Sequence, residues 1–321
     1  MDTFNIELIG IQQEWSLDIL LNESNRLNNT IKSIDESIIQ EGIGDVLKTL
    51  KDKVVKFFRW LWRKIRDFFN GIADAIREKF GKDAPYRYDN YLNFFIKDYD
   101  GEKIIFGEFQ NNVCEVLTTF LGALESGIKE VEGINNRIIE DIKRTKDLGG
   151  EDTVAFVDTW YKDHIEQEFM KKVIGKGYYI NRDEQDDKSI ITKIARTYYD
   201  PAKVKNDKDK FIFAIDPAKP NELKSQFEAL EKIILASSNM SAIKKLQSEF
   251  ESKIKGFENV ANKLCSNSKD SKILSMYLSC TAKSSQLIMN AIKAYELVEI
   301  NLRGNVAKSF AKFEQEYKRL S

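Results

Sequence analysis

Proline is nearly absent. Pro85, Pro201, Pro217 and Pro220 are the only four among 321 residues, roughly 1% against a usual ~5%. Proline breaks helix interiors because it lacks an N–H and clashes with the preceding turn, so long stretches are left free to be helical. Histidine is scarcer still, with His164 alone. It lies in HIEQE rather than HExxH, and no second imidazole exists to complete a zinc site. Ser-His-Asp and Cys-His schemes would both have to use this one ring, and neither GxSxG nor GxxxxGK(S/T) occurs. Cys114, Cys265 and Cys280 are widely spaced with no CxxC, which excludes a zinc ribbon, a thioredoxin motif and a dense disulfide framework. They read as buried, reduced thiols made in a reducing compartment. No run of 18 uncharged apolar residues provides a membrane span. The opening MDTFNIELIGIQQEW begins with an acid and lacks a small-residue cleavage site, so no secretory signal is expected. The sequons at Asn22, Asn28 and Asn239 are then chance matches.

An excess of one charge is also missing. Lys and Arg total 50 and Asp and Glu 51, which argues against a protein whose whole surface grips nucleic acid. The length suffices for one large or two modest domains with their own cores.

What is present is helical periodicity. Over 111–147, Val113, Val116, Leu117, Phe120, Leu124, Ile128, Val131, Ile134, Ile138 and Ile142 recur at the spacing of one helix face, and Gly149–Gly150 stops the run. Residues 152–174 predict a second amphipathic helix. From 221 onward, Leu223, Phe227, Leu230 and Ile234 lead into Ile243, Leu246, Phe250, Ile254, Phe257, Val260 and Leu264. After the SNSKDS turn the same period runs from Ile273 to Tyr317. Glu251–Lys255 and Glu314–Lys318 have the stabilising i,i+4 order. Such stripes cannot hide alone, so the fold class is mostly α, a long-helix antiparallel bundle. Two zones break the pattern. Residues 83–110 are dense in aromatics around a DYDG turn and predict a short hairpin. Residues 175–219 carry GKGYYI, DEQDD, two prolines and KFIFAI, and predict two or three short strands. The chain divides into an arm at 1–41, an amphipathic basic helix at 42–82, and a helical body at 83–321.

The basic helix is the unusual part. Ile43, Leu47, Leu50, Val54, Phe58, Leu61, Ile65, Phe68, Ile72, Ile76 and Phe80 follow the 3.6-residue period. Eleven basic against five acidic residues give 43–82 a net charge of +6, leaving −7 for the rest of the chain. Trp60 and Trp62 fall about 200° apart on a helix, so the apolar face is wide or one ring meets a second partner. Four readings follow. The helix packs on its own body; it lies in a bilayer interface, where Trp and cations are favoured; it docks on a partner protein or a second copy; or its cations meet nucleic acid. The contact residues expected are Phe57, Phe58, Arg59, Trp60, Trp62, Arg63, Lys64, Arg66 and Phe69, because aromatics and Arg dominate interface energetics.

Elsewhere the chemistry is thin. GKGYY is too short a glycine signal to cradle phosphate, and Asp183, Glu184, Asp186 and Asp187 lack the spacing of an EF-hand. A carboxylate pair assembled by folding leaves no local motif, so a glycosidase-type enzyme stays open as the minor alternative. No catalytic, cofactor or metal residue is assigned.

The stretch ESIIQEGIGDVLKTLKDKVVKFFRWLWRKIRDFF, about residues 36–80, resembles the N-terminal part of virion structural or internal head proteins of large tailed bacteriophages, particularly those infecting Gram-positive hosts. Ile39-Gln40-Glu41 resembles the aliphatic-x-Glu sites cut by prohead proteases of such phages. The resemblance implies a processing site between Glu41 and Gly42, with residues 1–41 a capsid-targeting leader. It implies a non-enzymatic protein, made in the host cytoplasm and carried in the virion. Its partners would be other virion proteins or its own copies, with DNA or a membrane surface as further targets and no small-molecule substrate. The competing expectation is a membrane-active effector or toxin whose 43–80 helix inserts into a bilayer interface.

Overall fold

In a computed structural model, the described residues are 51–52, 54–63, 66–67, 89–110, 113–145, 152–175, 190–198, 210–237, 240–266 and 271–320. Residues 51–67 are helical wherever they are described. Then come α1 (Asp89–Lys97), β1 (Ile104–Gln110), α2 (Val113–Arg144), α3 (Asp152–Trp160), a π-helical segment (Tyr161–Glu166), α4 (Gln167–Ile174), α5 (Ile190–Tyr198), β2 (Lys210–Ile215), α6 (Glu222–Ser237), α7 (Met240–Leu264) and α8 (Ser271–Leu320). The fold is mostly α, as the periodicity predicts. The chain forms two compact units, discontinuous in sequence: one from 51–69, 123–185 and 245–290, the other from 70–122, 186–244 and 291–321.

The first unit is a helical bundle. On α2, Leu124, Ile128, Val131, Ile134, Ile138 and Ile142 are all buried, so the apolar stripe read from the sequence is the packed stripe. Successive contacts set the helix directions. Asp141 of α2 meets Trp160, and Glu130 meets Lys172 of α4, so α2 and α3–α4 are antiparallel. Glu132 pairs with Lys253 at 3.3 Å and Glu125 with Lys245 at 2.6 Å, so α7 runs parallel to α2. Between α2 and the first part of α8 lies a buried polar layer. Asn135 Nδ2 donates to Thr281 Oγ1 at 3.3 Å, and Ser284 Oγ donates to Asn135 Oδ1 at 3.2 Å. Tyr277 Oη donates to Asn136 Oδ1 at 2.8 Å. Buried amides and hydroxyls are tolerated only when paired this way, and the pairing admits one register of the two helices.

The second unit is built on aromatic rings. Phe106 and Phe213 lie 5.3 Å apart, Phe213 and Phe313 5.5 Å, Phe227 and Phe310 4.8 Å, and Phe95 and Phe313 5.0 Å. β1 and β2 form a two-stranded antiparallel sheet with Ile104 opposite Ile215 and Gln110 opposite Lys210. Two strands alone are marginal in water, and here the rings of α6 and α8 cover one face. Phe106 is the extra residue of a β-bulge, and Ser309 Oγ satisfies its carbonyl at 3.2 Å.

One expectation is corrected, and a second is answered only for the described residues. In the aromatic zone at 83–110 the described residues, 89–110, form a helix and a strand rather than a hairpin. Tyr91, Phe94 and Phe95 follow the i, i+3, i+4 spacing of α1, and Tyr91 and Phe94 pack on Tyr317 of α8. The DYDG turn, closed by Tyr99 Oη donating to Glu102 O at 2.7 Å, joins a helix to a strand whose partner lies a hundred residues on. In 175–219 the described residues hold one strand, the KFIFAI run, and one helix, α5, which buries Ile191 and Ile194. Of the two charge pairs, Glu314–Lys318 forms at 2.6 Å, whereas Glu251 accepts from Gln247 at 2.8 Å instead of pairing with Lys255.

Two glycines of α2 test the bundle. A Cβ on Gly127 would sit 2.9 Å from the Phe169 ring, whereas one on Gly133 meets nothing within 4 Å. Gly133→Ala should therefore raise stability by about 0.5–1 kcal/mol through helix propensity, and Gly127→Ala should lower it. Urea denaturation of both variants reads the sign; a stabilised Gly127→Ala contradicts the close approach of α4.

Candidate interaction surface

The helix at 51–67 belongs to the first unit, and its sidedness is explicit. Val54, Phe57, Phe58 and Leu61 are buried, with exposures of 0%, 2%, 1% and 0%. At 100° per residue they occupy an arc of about 100°. Phe57 and Phe58 meet edge to face at 5.2 Å, a favoured aromatic geometry. Phe57 and Phe58 were expected at a contact surface; they are core residues, because the stripe they share with Val54 and Leu61 is covered by the protein's own chain. Lys51 lies close enough to Cys265, at the end of α7, to oppose the rise in its thiol pKa; burial prevails and pushes that thiol up to about 11.

The opposite side is cationic. Lys56, Arg59, Arg63 and Arg66 are all exposed and fall within an arc of about 80° centred opposite the buried stripe. They follow i, i+3, i+7 and i+10, a row of about 15 Å at 1.5 Å per residue. None forms an ion pair with another described residue. Asp52 and Asp67 are exposed on the same side near the ends of the row. Trp60 and Trp62 are half-buried, each about 40° outside the cationic arc and on opposite flanks of it. Trp60 leans on Phe57 at 6.1 Å. The wide separation of the two tryptophans thus resolves into one ring on each border between core and solvent.

Of the other expected contact residues, Arg59, Arg63 and Arg66 share the exposed side of the helix. Lys64, Phe69, Glu41 and Gly42 lie outside the described residues, as does the acidic run at 183–187. Lys56 is not among the contact residues expected from the sequence, yet its spacing to Arg59 and Arg63 is the signal that places it in the row. Beside β2, by contrast, Lys103 pairs with Asp216 at 3.2 Å and Lys219 with Glu222 at 3.1 Å, along a groove of about 350 Å³.

The lone histidine is accounted for by local structure. His164 is half-buried in the π segment, stacks on Trp160 at 4.7 Å and bonds through Nδ1 to the Trp160 carbonyl at 3.0 Å. Trp160 Nε1 donates to Asp141 at 2.8 Å. Beside them Lys283 pairs with Asp158 at 2.6 Å and sits 5.6 Å over the Tyr161 ring. The Gln167 N–H reaching back to Lys162 O carries the i→i−5 pattern to the end of the segment. Sequence periodicity gave no sign of this bulge, because six residues do not disturb a 23-residue apolar repeat enough to register. The Cys280 thiol nearby is buried and held well above its ordinary pKa by desolvation, which makes it inert rather than nucleophilic. Among the described residues, no group of three or more His, Cys, Asp or Glu is placed to hold a metal ion, and no helix is long and apolar enough to cross a membrane.

The two sides of the helix should respond differently to truncation. Phe58→Ala is expected to cost about 3–5 kcal/mol of stability, and Arg63→Gln to stay within about 0.5 kcal/mol of the parent. Urea unfolding checks both; an unchanged midpoint for Phe58→Ala would mean that the helix is not docked. No family model, no curated protein and no solved structure matches the chain.

Proposed function

We propose that this is a non-enzymatic structural protein of the virion type, which docks through the cationic row of residues 51–67 on an anionic surface. The observation that carries the reading is the row itself: four exposed cations in register, unpaired among the described residues, on a helix whose other side is locked into the core. A rigid support of this kind presents charge at fixed spacing without ordering a flexible arm, so less entropy is lost on docking. The virion setting rests on the resemblance of residues 36–80, which also implies a processing site at Glu41–Gly42. The bundle and the aromatic unit serve as the scaffold. Insertion of the same helix into a bilayer is the less supported reading, because it must first withdraw Phe57 and Phe58 from the core, at about 1.5–3 kcal/mol for each ring.

Density-gradient fractionation of a phage lysate tests this. The full-length protein should band with the particles. A variant carrying Lys56→Gln, Arg59→Gln, Arg63→Gln and Arg66→Gln should remain at the top of the gradient with an unchanged unfolding midpoint. Parent protein absent from the particle band would overturn the virion role.

A further inference from the structure

We propose that the anionic surface engaged by the row is the phosphate backbone of a nucleic acid, bound without sequence preference. This rests on the docking role assigned above to the same helix and goes further by naming the partner. Three classes of anionic partner compete, and the composition of the exposed arc separates them. A protein interface needs an apolar, desolvated centre within a polar rim. The arc from Arg66 to Lys56 holds only charged residues, Asp52 among them and Asp67 just beyond its edge, and the indoles stand at its borders half-covered. A bilayer surface holds an amphipathic helix by burying its apolar face, and here that face is already occupied by Val54, Phe57, Phe58 and Leu61 within the protein. A phosphate backbone asks for neither, since neutralising phosphates and releasing their counterions supplies the free energy.

The geometry agrees with that choice. Successive cations rise about 4.5, 6 and 4.5 Å along the helix axis, within reach of consecutive phosphates on one strand. Three of the four are Arg, whose planar fork pairs bidentately with phosphate oxygens. The chain outside 43–82 carries a net −7, so a polyanion is drawn to this segment in preference to the rest.

The test is fluorescence anisotropy of a labelled random-sequence DNA duplex with full-length protein, from 50 to 200 mM salt. Four phosphate contacts predict a slope of log K against log salt of about −3.6, equivalent to about a hundredfold loss of affinity over that range. Arg63→Gln should make the slope shallower by about 0.9. The four-residue Gln variant should abolish binding, whereas a control with Lys224→Gln, Lys244→Gln and Lys312→Gln, exposed cations outside the row, should bind like the parent. Absence of duplex binding at 50 mM salt, or equal loss in the control, overturns the proposal. Phosphatidylserine vesicles form the comparison arm. Row-dependent vesicle binding without duplex binding overturns the nucleic-acid partner while leaving the docking role intact. Failure of both arms, with no particle banding, removes the docking role as well.

Discussion

The burial of one aromatic stripe decides what the cationic helix is for. With Phe57 and Phe58 covered by the chain itself, rotation of the helix about its axis is fixed, and the side bearing Arg59 and Arg63 has to face solvent. The same residues on a free arm would be a general-purpose amphipathic element, open to lipid, groove or polymer. Docked, they become a charged ridge with a defined direction. The hydrophobic contribution and the electrostatic one are therefore coupled: the first supplies the rigidity that gives the second its spacing.

Within the first unit the specificity of packing comes from polar groups rather than apolar ones. Leucine and isoleucine stripes on α2, α7 and α8 tolerate several registers, because side chains of similar volume can repack. The Asn135–Thr281–Ser284 layer does not, since a shift of one turn leaves a buried amide without partners. In the second unit the aromatic cluster does the equivalent work through shape. The bulge at Phe106 and the serine that satisfies it tie the strand pair to α8 at one point.

The legible part of the fold was the part governed by local period. On α2 every apolar residue from Leu117 to Ile142 assigned to the stripe is buried, and α7 and α8 flank the turn that the sequence marks. The illegible part was non-local. The β1–β2 pairing joins segments a hundred residues apart, and nothing near Ile104 announces Ile215 as its partner. Aromatic density misled at 89–97, where β-propensity was outweighed by the i, i+3, i+4 placement of rings against Tyr317. The division into two units was equally hidden, because α2 and α8 each contribute to both and no linker composition marks the boundary. For the candidate surface, the charge of the helix was plain from counting. Which aromatics were interior was not, because Phe57 and Trp60 look alike in composition and differ by 60° around the axis in the face they occupy.

Hydrogen–deuterium exchange of the full-length protein, followed for the backbone amides of residues 54–63, tests the docked helix most directly. Amides of a helix whose stripe belongs to the core exchange only through large-scale opening, so protection approaching that of α2 residues 124–142 is expected. Exchange complete within seconds, while α2 stays protected, would contradict the docking and with it the fixed outward display of the cationic row.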